Sequence, residues 1–553
     1  MRIVQGKGVC GGVAFGKLYI MRKSSSLVKR EHVDEPDKET ERFEEARKKA
    51  IEQLKALYEK AVTEVGENNA IIFEIHCMML EDEDFINSVH SIISSQKLNA
   101  ETAAATAADN FAEMFSQTDD SYMQARAADV KDISERIIKI LGNDDNGTLD
   151  MQETVILAAE DLAPSETVQL DKSKILAFIT ENGSENSHTS ILARTLGIPA
   201  IINAKGILSE ENSGKDVIVN GFSGEVYIEP DMNTVLEMQN RKKEAEGRKA
   251  LLNKLKGTKP VTKDGQEVLL YANISTPDDL PLVYANDAQG VGLFRSEFLY
   301  LERNTYPSED EQFIIYKKAA EKMGGKRIVI RTLDIGADKQ VGYFDMPHEE
   351  NPAMGVRAIR LCLNRPGIFK TQLRALYRAS VFGKISVMFP MITSLDEVRR
   401  IKELCREVEE ELHREKTSFD EDIELGIMIE TPAAAVISDK LAKEVDFFSI
   451  GTNDLTQYTL AADRQNYNTA EFADPHHEAI LRLIKMTVDN AHKNGIWVGI
   501  CGEAAADTEL TELFLSMGVD ELSVSPTYIL PLKEKVLETN VSEIKERALE
   551  KLR

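Results

Sequence analysis

His188 stands where the sequence changes from an apolar run to an amphipathic one. A β-like run over 174–180 leads into a polar turn that contains Gly183, and Thr189 and Ser190 follow the histidine directly. At the start of a helix, backbone N–H groups are free and the helix dipole is positive. These features would stabilise a phosphate carried on the imidazole, with the two hydroxyls as further donors. A helix-capping turn with an incidental histidine is the alternative, and this segment alone does not decide between them.

A second set of reactive side chains stands at the ends of strand-like runs in the C-terminal half. Eight such runs alternate with helical segments, namely Glu267–Ile274, Gly290–Arg295, Arg327–Asp334, Ile385–Met391, Glu424–Glu430, Phe447–Asp454, Trp497–Glu503 and Glu521–Ser525. Eight consecutive βα units predict a (β/α)8 barrel, and a doubly wound open sheet is the structural alternative. Catalytic side chains of a barrel stand at the carboxyl ends of its strands, so these ends are expected to share one mouth.

The expected mouth is rich in arginines and carboxylates. The residues at or after the strand ends are Arg295, Arg331, Glu430, Asp454 and Arg464. The planar fork of arginine binds phosphate or carboxylate through two parallel hydrogen bonds. Two carboxylates from separate strands suit Mg²⁺, and Asn453 could hold a further phosphate oxygen. The set predicts a small, highly charged anion bound with a divalent metal, whereas each arginine taken singly is better explained by an ion pair at the rim.

Cys501 follows the seventh strand-like run, and its thiol can be interpreted in two ways. A lone cysteine after an apolar run is typical of a small core residue. Beside a cationic site that holds a metal, a thiol can instead donate a proton to a developing enolate. The neighbouring arginines and carboxylates favour the second interpretation.

The composition limits the class of protein. The chain has 553 residues, and its net charge of −26 without a long basic run argues against a nucleic-acid partner. The five cysteines are scattered and form no CxxC pair, which predicts a reducing, cytoplasmic location. The first residues have no long apolar core, and no apolar run approaches the ~20 residues of a membrane span, so neither a signal peptide nor a membrane segment is expected.

The spacing of the apolar residues along the sequence predicts four regions. From Pro36 to Leu141 the apolar residues recur at helical spacing, whereas short strands and turns occur before and after this block. The helical block is therefore expected to be inserted into an α/β domain whose first strand is the N-terminus. The expected boundaries are 1–21 and 145–230 for the α/β domain, 22–144 for the helical domain, 231–258 for a linker helix and 259–553 for the barrel.

Together these residues resemble enzyme I of the bacterial phosphotransferase system, the phosphoenolpyruvate–protein phosphotransferase family. The resemblance covers nearly the whole chain and includes the surroundings of His188 and the segments 161–167, 290–298, 331–339, 350–360, 430–432, 451–457 and 501–503. The order of the domains matches as well, and the helical block is similar to the carrier-binding domain of that family.

The resemblance implies that the barrel binds phosphoenolpyruvate with Mg²⁺. Glu430 and Asp454 would be the metal ligands, and the residues that would hold the substrate are Arg295, Arg331, Lys339, Asn453, Asp454 and Arg464. His188 Nε2 would attack phosphorus in line to give phosphohistidine and pyruvate enolate, and Cys501 would protonate the enolate. Such a transfer depends mainly on positioning and on charge neutralisation.

The resemblance also implies partners. The phosphoryl group would pass from the histidine to the small carrier protein HPr, docked against the inserted helices, as the first step of sugar uptake. The α/β domain would swing between barrel and carrier about the linker helix, and the chain would form a homodimer through its barrel. Acidic residues such as Glu74, Glu81 and Asp84 could meet a basic carrier or form a solvated helix face. His76 is expected to be a packed or partner-facing histidine rather than a ligand.

One departure from the family pattern precedes the histidine. The family reads Gly-Gly-Arg/Lys-Thr-Ser-His, whereas here Glu185 replaces the cation and Asn186 replaces the threonine. A carboxylate beside a phosphohistidine disfavours the phosphate unless it points away or bonds to the imidazole. This departure supports the alternative of a regulatory protein that binds without turnover. The alternative enzyme is a pyruvate phosphate dikinase or a phosphoenolpyruvate synthase. Both need a large nucleotide-binding domain, and the sequence shows no nucleotide-binding motif.

Overall fold

A computed structural model of the chain describes residues 1–21, 29–65, 67–116, 121–142, 153–162, 167, 170–183, 188–301, 303, 305–336, 342–463, 466 and 469–550. The described residues form two compact units, Met1–Arg248 and Lys249–Arg553. Within these ranges, no helix combines the length and the apolar character that crossing a membrane requires.

The first unit is built on an eight-stranded mixed sheet. Its strands are β1 (Arg2–Gln5), β2 (Lys7–Cys10), β3 (Val13–Ile20), β4 (Val155–Ala159), β5 (Ile175–Thr180), β6 (Ala200–Ile202), β7 (Asp216–Asn220) and β8 (Glu225–Ile228). Their spatial order is β1-β8-β7-β3-β4-β5-β6-β2. Strands β3 to β6 pair in parallel, whereas β7 and β8 form an antiparallel hairpin.

A group of helices lies in the chain between β3 and β4. These are α1 (Pro36–Val65), α2 (Glu67–Glu81), α3 (Glu83–Gln96), α4 (Ala100–Ser116) and α5 (Ser121–Leu141). Apolar positions three or four residues apart give each helix one apolar face. The buried faces share a core that includes Phe43, Phe73 and Ile137. The predicted insertion of a helical block into an α/β domain is therefore confirmed.

Two further helices, α6 (His188–Leu196) and α7 (Met232–Asn253), follow β5 and β8. α7 is charged along most of its length, and Met238 is its buried residue. A helix that is polar on nearly all sides gains little from packing. The boundary between the two compact units falls within it.

The second unit is a closed barrel of eight parallel strands, which confirms the barrel and excludes the open doubly wound sheet. Its strands are β9 (Leu269–Ile274), β10 (Gly290–Arg295), β11 (Ile328–Arg331), β12 (Ile385–Phe389), β13 (Glu424–Ile429), β14 (Phe447–Ile450), β15 (Trp497–Ile500) and β16 (Glu521–Val524). β16 pairs with β9 and closes the ring.

Helices alternate with these strands and surround the barrel. They are α8 (Leu280–Ala285), α9 (Phe298–Leu301), α10 (Glu309–Lys322), α11 (Ile359–Asn364), α12 (Pro366–Ser380), α13 (Leu395–Glu415), α14 (Pro432–Val436), α15 (Ser438–Leu441), α16 (Thr452–Leu460), α17 (Glu478–Lys493), α18 (Thr508–Met517), α19 (Ile529–Glu538) and α20 (Val541–Glu550). Their apolar faces and the outward strand residues form one large core. The carboxyl ends of the strands therefore stand on a rigid support.

The strands end earlier than the sequence predicted. β14 stops at Ile450 and α16 starts almost at once, so Asn453 and Asp454 lie in the first turn of a helix rather than at the end of a strand. Gly451 makes the turn possible, because a Cβ at this residue would come within 3.0 Å of Glu430 Oε2. The turn places both residues at the carboxyl edge of the barrel.

Candidate active site

The carboxyl end of the barrel carries a buried series of opposite charges. Arg331, the last residue of β11, donates from Nη2 to Glu297 Oε1 at 2.7 Å, and its Nη1 lies 3.0 Å from Asp334 Oδ2. All three side chains are buried. Burial disfavours the charged guanidinium, but the two carboxylates outweigh it and raise the pKa of Arg331 above its ordinary value. The positive charge is therefore fixed in this position.

Arg357 extends the series and was not among the predicted site residues. Its Nη2 donates to Asp334 Oδ1 at 2.9 Å, and its Nη1 lies 3.7 Å from Asp454 Oδ1. Nη1 also donates to the hydroxyl of Tyr458 at 3.1 Å. Arg357 lies in a loop just before α11, where neither a strand end nor a hydrophobic period marks it. The sequence signals it only through the resemblance over 350–360.

Two residues with positive φ stand directly beside these groups. Met391 has a φ of 59° and donates its N–H to Glu430 Oε1 at 2.6 Å. Ala358, which follows Arg357, has a φ of 51° and a ψ of −125°. Side-chain-bearing residues adopt such conformations at a cost, and the surrounding packing must hold them there.

Glu430 and Asp454 bring two carboxylates to this mouth. Glu430 is 1% exposed, and burial together with the neighbouring Asp454 raises its pKa. Like charges this close favour a cation between them. One oxygen of Glu430 is occupied by the Met391 N–H, which leaves the other available. Two hard oxygen donors fit Mg²⁺, which keeps several waters of its own. Across the described ranges no cluster of three or more His, Cys, Asp or Glu side chains is arranged to hold a metal.

Asn453 is engaged with the loop after β15. Its Nδ2 donates to Glu503 Oε1 at 3.0 Å, and the Glu503 N–H donates to Asn453 Oδ1 at 2.9 Å. Gly502 keeps the two loops in contact, because a Cβ there would lie 1.9 Å from Thr452 Oγ1. The side-chain amide predicted to hold a phosphate oxygen is thus bonded to Glu503 in this structure.

Cys501 lies inside the mouth, directly after β15. It is 4% exposed, and its Sγ lies 3.7 Å from the carbonyl oxygen of Ile450. Its own carbonyl accepts a hydrogen bond from Asn273 Nδ2 at 3.0 Å. Burial raises the pKa of the Cys501 thiol to about 12. The residue therefore keeps its proton at neutral pH, as a proton donor must.

Arg295 is the exposed cation of the site. It is the last residue of β10 and the register partner of Arg331 on β11. Its side chain is exposed and has no ion-pair partner in the part of the chain that the structure describes. Because Arg331 already has carboxylate partners, Arg295 offers the more accessible positive charge to an incoming anion.

Arg464 and Lys339 were predicted to hold the substrate, and Glu185 departs from the family pattern. All three lie outside the described residues.

The predicted position of His188 at the start of a helix is confirmed for its backbone. His188 is the first residue of α6, which follows the parallel strand β5. The side chains of Thr189 and Ser190 are buried, at 1% and 0% exposure. The imidazole itself lies outside the described part of the chain. The first unit thus has, at His188, a helix start of the kind that stabilises an anion.

The inserted helices present acidic side chains to solvent. Glu74, Glu81 and Asp84 are exposed, and Asp82 caps α3 by accepting from the backbone N–H groups of Asp84 and Phe85. His76 is fully buried, with Nε2 3.4 Å from Asp129 Oδ1, so the prediction of a packed histidine is confirmed.

Comparison with known proteins connects this geometry to a family. Residues 249–541 match the model of the phosphoenolpyruvate-binding domain of phosphoenolpyruvate-utilising enzymes, residues 5–126 match their N-terminal model and residues 151–224 match their mobile-domain model. The phosphoenolpyruvate-protein phosphotransferase of Bacillus sp. (strain S) is 43% identical over 99% of this chain and 96% of its own length. The enzyme of that name from Haemophilus influenzae is 44% identical over 97% of this chain and 93% of its own.

Among solved structures, the solution structure of the Enzyme I protein nEIt is 31% identical, with a TM-score of 0.38 over 44% of this chain and 99% of that one. The near full-length identity above 40% and the match of the barrel, which carries the arginine and carboxylate site, to a phosphoenolpyruvate-binding model agree. The chain belongs to the phosphoenolpyruvate-protein phosphotransferases, a family of transferases.

Proposed function

We propose that this transferase moves the phosphoryl group of phosphoenolpyruvate to Nε2 of its own His188 and then to a histidine of the carrier protein HPr. The observation that carries the proposal is the grouping of Arg295, Arg331, Glu430, Asp454 and Cys501 at one barrel mouth in a chain whose histidine opens a helix. Each of these groups has a separate task in such a transfer.

Binding comes first. Phosphoenolpyruvate carries a carboxylate and a phosphate, and Arg295 and Arg331 provide planar donors for both. The paired carboxylates Glu297 and Asp334 hold Arg331 rigidly, so little reorganisation is needed when the anion enters. Arg464 and Lys339 would complete the set, as the family resemblance implies.

Glu430 and Asp454 would hold Mg²⁺, which would neutralise phosphate charge during the transfer. His188 Nε2 attacks phosphorus in line and the bond to the enol oxygen breaks, which leaves pyruvate enolate. Cys501, protonated because it is buried, gives its proton to the methylene carbon, and pyruvate leaves.

The second half of the reaction needs the carrier. We propose that HPr docks on the inserted helices, where exposed acidic side chains such as Glu74 and Glu81 would attract a basic surface. His188 would have to serve the barrel mouth and the carrier in turn, and α7 is the proposed hinge because it packs little. We further propose a homodimer formed through barrel helices, working in the cytoplasm.

Pyruvate release tests the proposal. With phosphoenolpyruvate and Mg²⁺ alone, the protein should release about one pyruvate per chain and then stop, because the histidine is filled. Addition of HPr should make the release continuous. Tight binding of phosphoenolpyruvate without any pyruvate would instead show a binding protein, and a single round that HPr cannot extend would show a different acceptor.

A further inference from the structure

A carboxyl group lies inside the barrel, one layer below the site. Residues that alternate along a barrel strand face the interior, and Glu521 and Ser523 are the first and third residues of β16. Glu521 is 1% exposed. A Cβ on Gly292 would lie 2.1 Å from Glu521 Oε1 and 2.5 Å from Ser523 Oγ, which places both side chains in the barrel interior.

Glycines on two other strands provide the space for this carboxyl. Gly292 belongs to β10 and Gly499 to β15, and a Cβ on Gly499 would lie only 1.8 Å from Glu521 Oε2. Neither glycine has a positive φ, so the backbone conformation does not require glycine at either position. The close approach of the Glu521 carboxyl does require it. The two glycines thus leave room for the Glu521 carboxyl inside the barrel.

The carboxyl lies in the layer next to Cys501. Gly499 and Cys501 are two residues apart along β15 and its continuation, so both face the interior. Polar groups join the two layers: Ser523 Oγ donates to Asn273 Oδ1 at 2.5 Å, and Asn273 Nδ2 donates to the carbonyl of Cys501 at 3.0 Å. Glu521 interacts electrostatically with the Cys501 thiol and lies on the side of it opposite the mouth.

No cation within the described ranges forms an ion pair with Glu521. The charged and titratable groups that interact with it are Arg327, Asp520, Tyr271 and Cys501. Arg327 donates to Glu424 Oε1 at 2.8 Å and stacks over Trp497. Oε1 of Glu521 is buried and has no hydrogen-bond partner among the described residues. Burial raises the pKa of Glu521 to about 8, with Arg327 opposing the shift and Asp520 adding to it. The carboxyl is thus mostly protonated at neutral pH.

We propose that Glu521 supplies the proton that restores the Cys501 thiol after each turnover. The inference rests on the proposed role of Cys501 as the acid that protonates the enolate. In the step, the O–H bond of the Glu521 carboxyl breaks, an S–H bond forms on the Cys501 thiolate, and Glu521 becomes a carboxylate. Solvent at the amino end of the barrel, where Arg327 and Glu424 are partly exposed, then returns the proton.

The direction of this transfer is favourable. A thiolate whose conjugate acid has a pKa of about 12 takes a proton readily from a carboxyl with a pKa of about 8. Glu430 and Arg331 are the other charged groups near the thiol, and both stand on the mouth side. They are engaged in the site itself, whereas Glu521 Oε1 has no hydrogen-bond partner in the part of the chain that the structure describes.

The variant Glu521→Gln keeps the shape of the side chain and removes its proton. We expect the first pyruvate per chain to appear at the wild-type rate, because Cys501 starts as a thiol. Later turnovers, measured with excess HPr, should slow by about tenfold or more, because the thiolate is not restored. Rapid-quench measurement of pyruvate separates the two phases. The wild-type steady rate should fall above pH 8, and the variant should lack this fall.

Two controls separate this role from simple destabilisation. Val524→Ala lies on the same strand with its side chain in the outer core, and it should slow neither phase. If the glutamine variant fails to fold, Glu521→Met, which also lacks the proton, replaces it in the same measurement. Wild-type rates in both phases, or equal slowing of both phases, would overturn the proposal. Failure of wild type to release pyruvate would instead refute the proposed function.

Discussion

At the scale of single residues, the guanidinium charge of Arg331 both stabilises the fold and contributes to the candidate site. Its guanidinium is buried between Glu297 and Asp334, so the charges are stable only together. Removal of one partner of a buried ion pair typically costs about 3–5 kcal/mol, because the other charge is left unpaired. A defect at Arg331 therefore mixes lost stability with lost binding unless the carboxylate is changed as well.

The first prediction separates these effects. Arg331→Met should lower the free energy of unfolding of the barrel by about 3 kcal/mol and abolish phosphoenolpyruvate binding. Arg331→Met combined with Glu297→Gln should recover about half of the stability and none of the binding. Denaturant unfolding and calorimetric titration measure the two quantities. Recovery of binding in the double variant would refute the assignment of Arg331 to the substrate.

A second prediction concerns the buried thiol. Cys501→Ser replaces the acid by a hydroxyl, which gives up its proton less readily. The rate of pyruvate formation should fall about 10- to 100-fold, whereas the affinity for phosphoenolpyruvate should change by less than about threefold. Steady-state kinetics and equilibrium binding provide the comparison. A loss confined to affinity would show that Cys501 is a packing residue.

Some of the site residues follow from the sequence, and others do not. Arg295, Arg331 and Glu430 stand where apolar runs end, and strand ends in a barrel are easy to recognise. Arg357 lies in an irregular loop. The path of this loop depends on packing and not on a regular spacing of apolar residues in the sequence. The bonding of Asn453 to Glu503 joins two loops that are far apart in the chain, and no local pattern predicts such a contact.

At the scale of elements, the loops after the strands are held by backbone conformation as well as by side chains. Ala358 occupies a region of φ and ψ that glycine adopts at low cost, and alanine there costs about 1–3 kcal/mol. Its N–H donates to the carbonyl of Ile335 at 3.0 Å, and the preceding Arg357 points to Asp334. The fixed backbone of Ala358 thus directs the side chain of Arg357 toward Asp334.

The third prediction tests this strain. Ala358→Gly should leave the stability of the barrel unchanged or raise it by up to about 1 kcal/mol, because strain is relieved while the unfolded chain becomes more flexible. The KM for phosphoenolpyruvate should rise severalfold, because Arg357 is held less firmly. The same substitution in the middle of α12, Ala375→Gly, should lower stability by about 1 kcal/mol and leave KM unaltered. Equal losses in both variants would contradict the strain argument.

At the scale of the whole molecule, the chain consists of two units with separate cores. The barrel must close between its first and last strands, and a buried lysine helps to fasten this seam. Lys533 of α19 is 1% exposed, donates to the carbonyl of Thr258 at 2.9 Å and pairs with Asp287 at 2.5 Å. Burial alone would raise the pKa of Asp287, but Lys533 and the Gly257 N–H hold it below its ordinary value.

The fourth prediction follows from this pair. Lys533→Met should destabilise the barrel unit by about 2 kcal/mol, less than for a fully buried pair because Asp287 is partly exposed. A lowered carboxyl pKa stabilises the fold above the unfolded pKa, and this contribution is lost as pH falls. The difference between wild type and variant should therefore shrink below about pH 4. Thermal unfolding at several pH values measures it.

The matched control for that variant is Lys535→Met. Lys535 pairs with Glu512 on the surface, where both side chains are about one-third exposed, so its loss should cost less than about 1 kcal/mol. Equal costs for the two lysines would contradict the assigned role of Lys533.

The overall architecture was the part most accessible from sequence. Eight strand-like runs with intervening helices specify a barrel, and the change to helical spacing over 36–141 marks the insertion. The exact ends of the strands were harder to predict from the sequence. The turn at Gly451, for example, depends on how little space the Glu430 side chain leaves beside it. The finer domain limits at 145, 231 and 259 stay predictions.

The most direct test of the account is labelling with phosphorus-labelled phosphoenolpyruvate and Mg²⁺. Wild type should acquire acid-labile, alkali-stable label that moves to added HPr, as should His477→Ala, which removes a histidine that caps α17. His188→Ala should acquire no label and still bind phosphoenolpyruvate in the barrel. Label on the His188 variant, or wild type that binds phosphoenolpyruvate and stays unlabelled, would contradict the central claim.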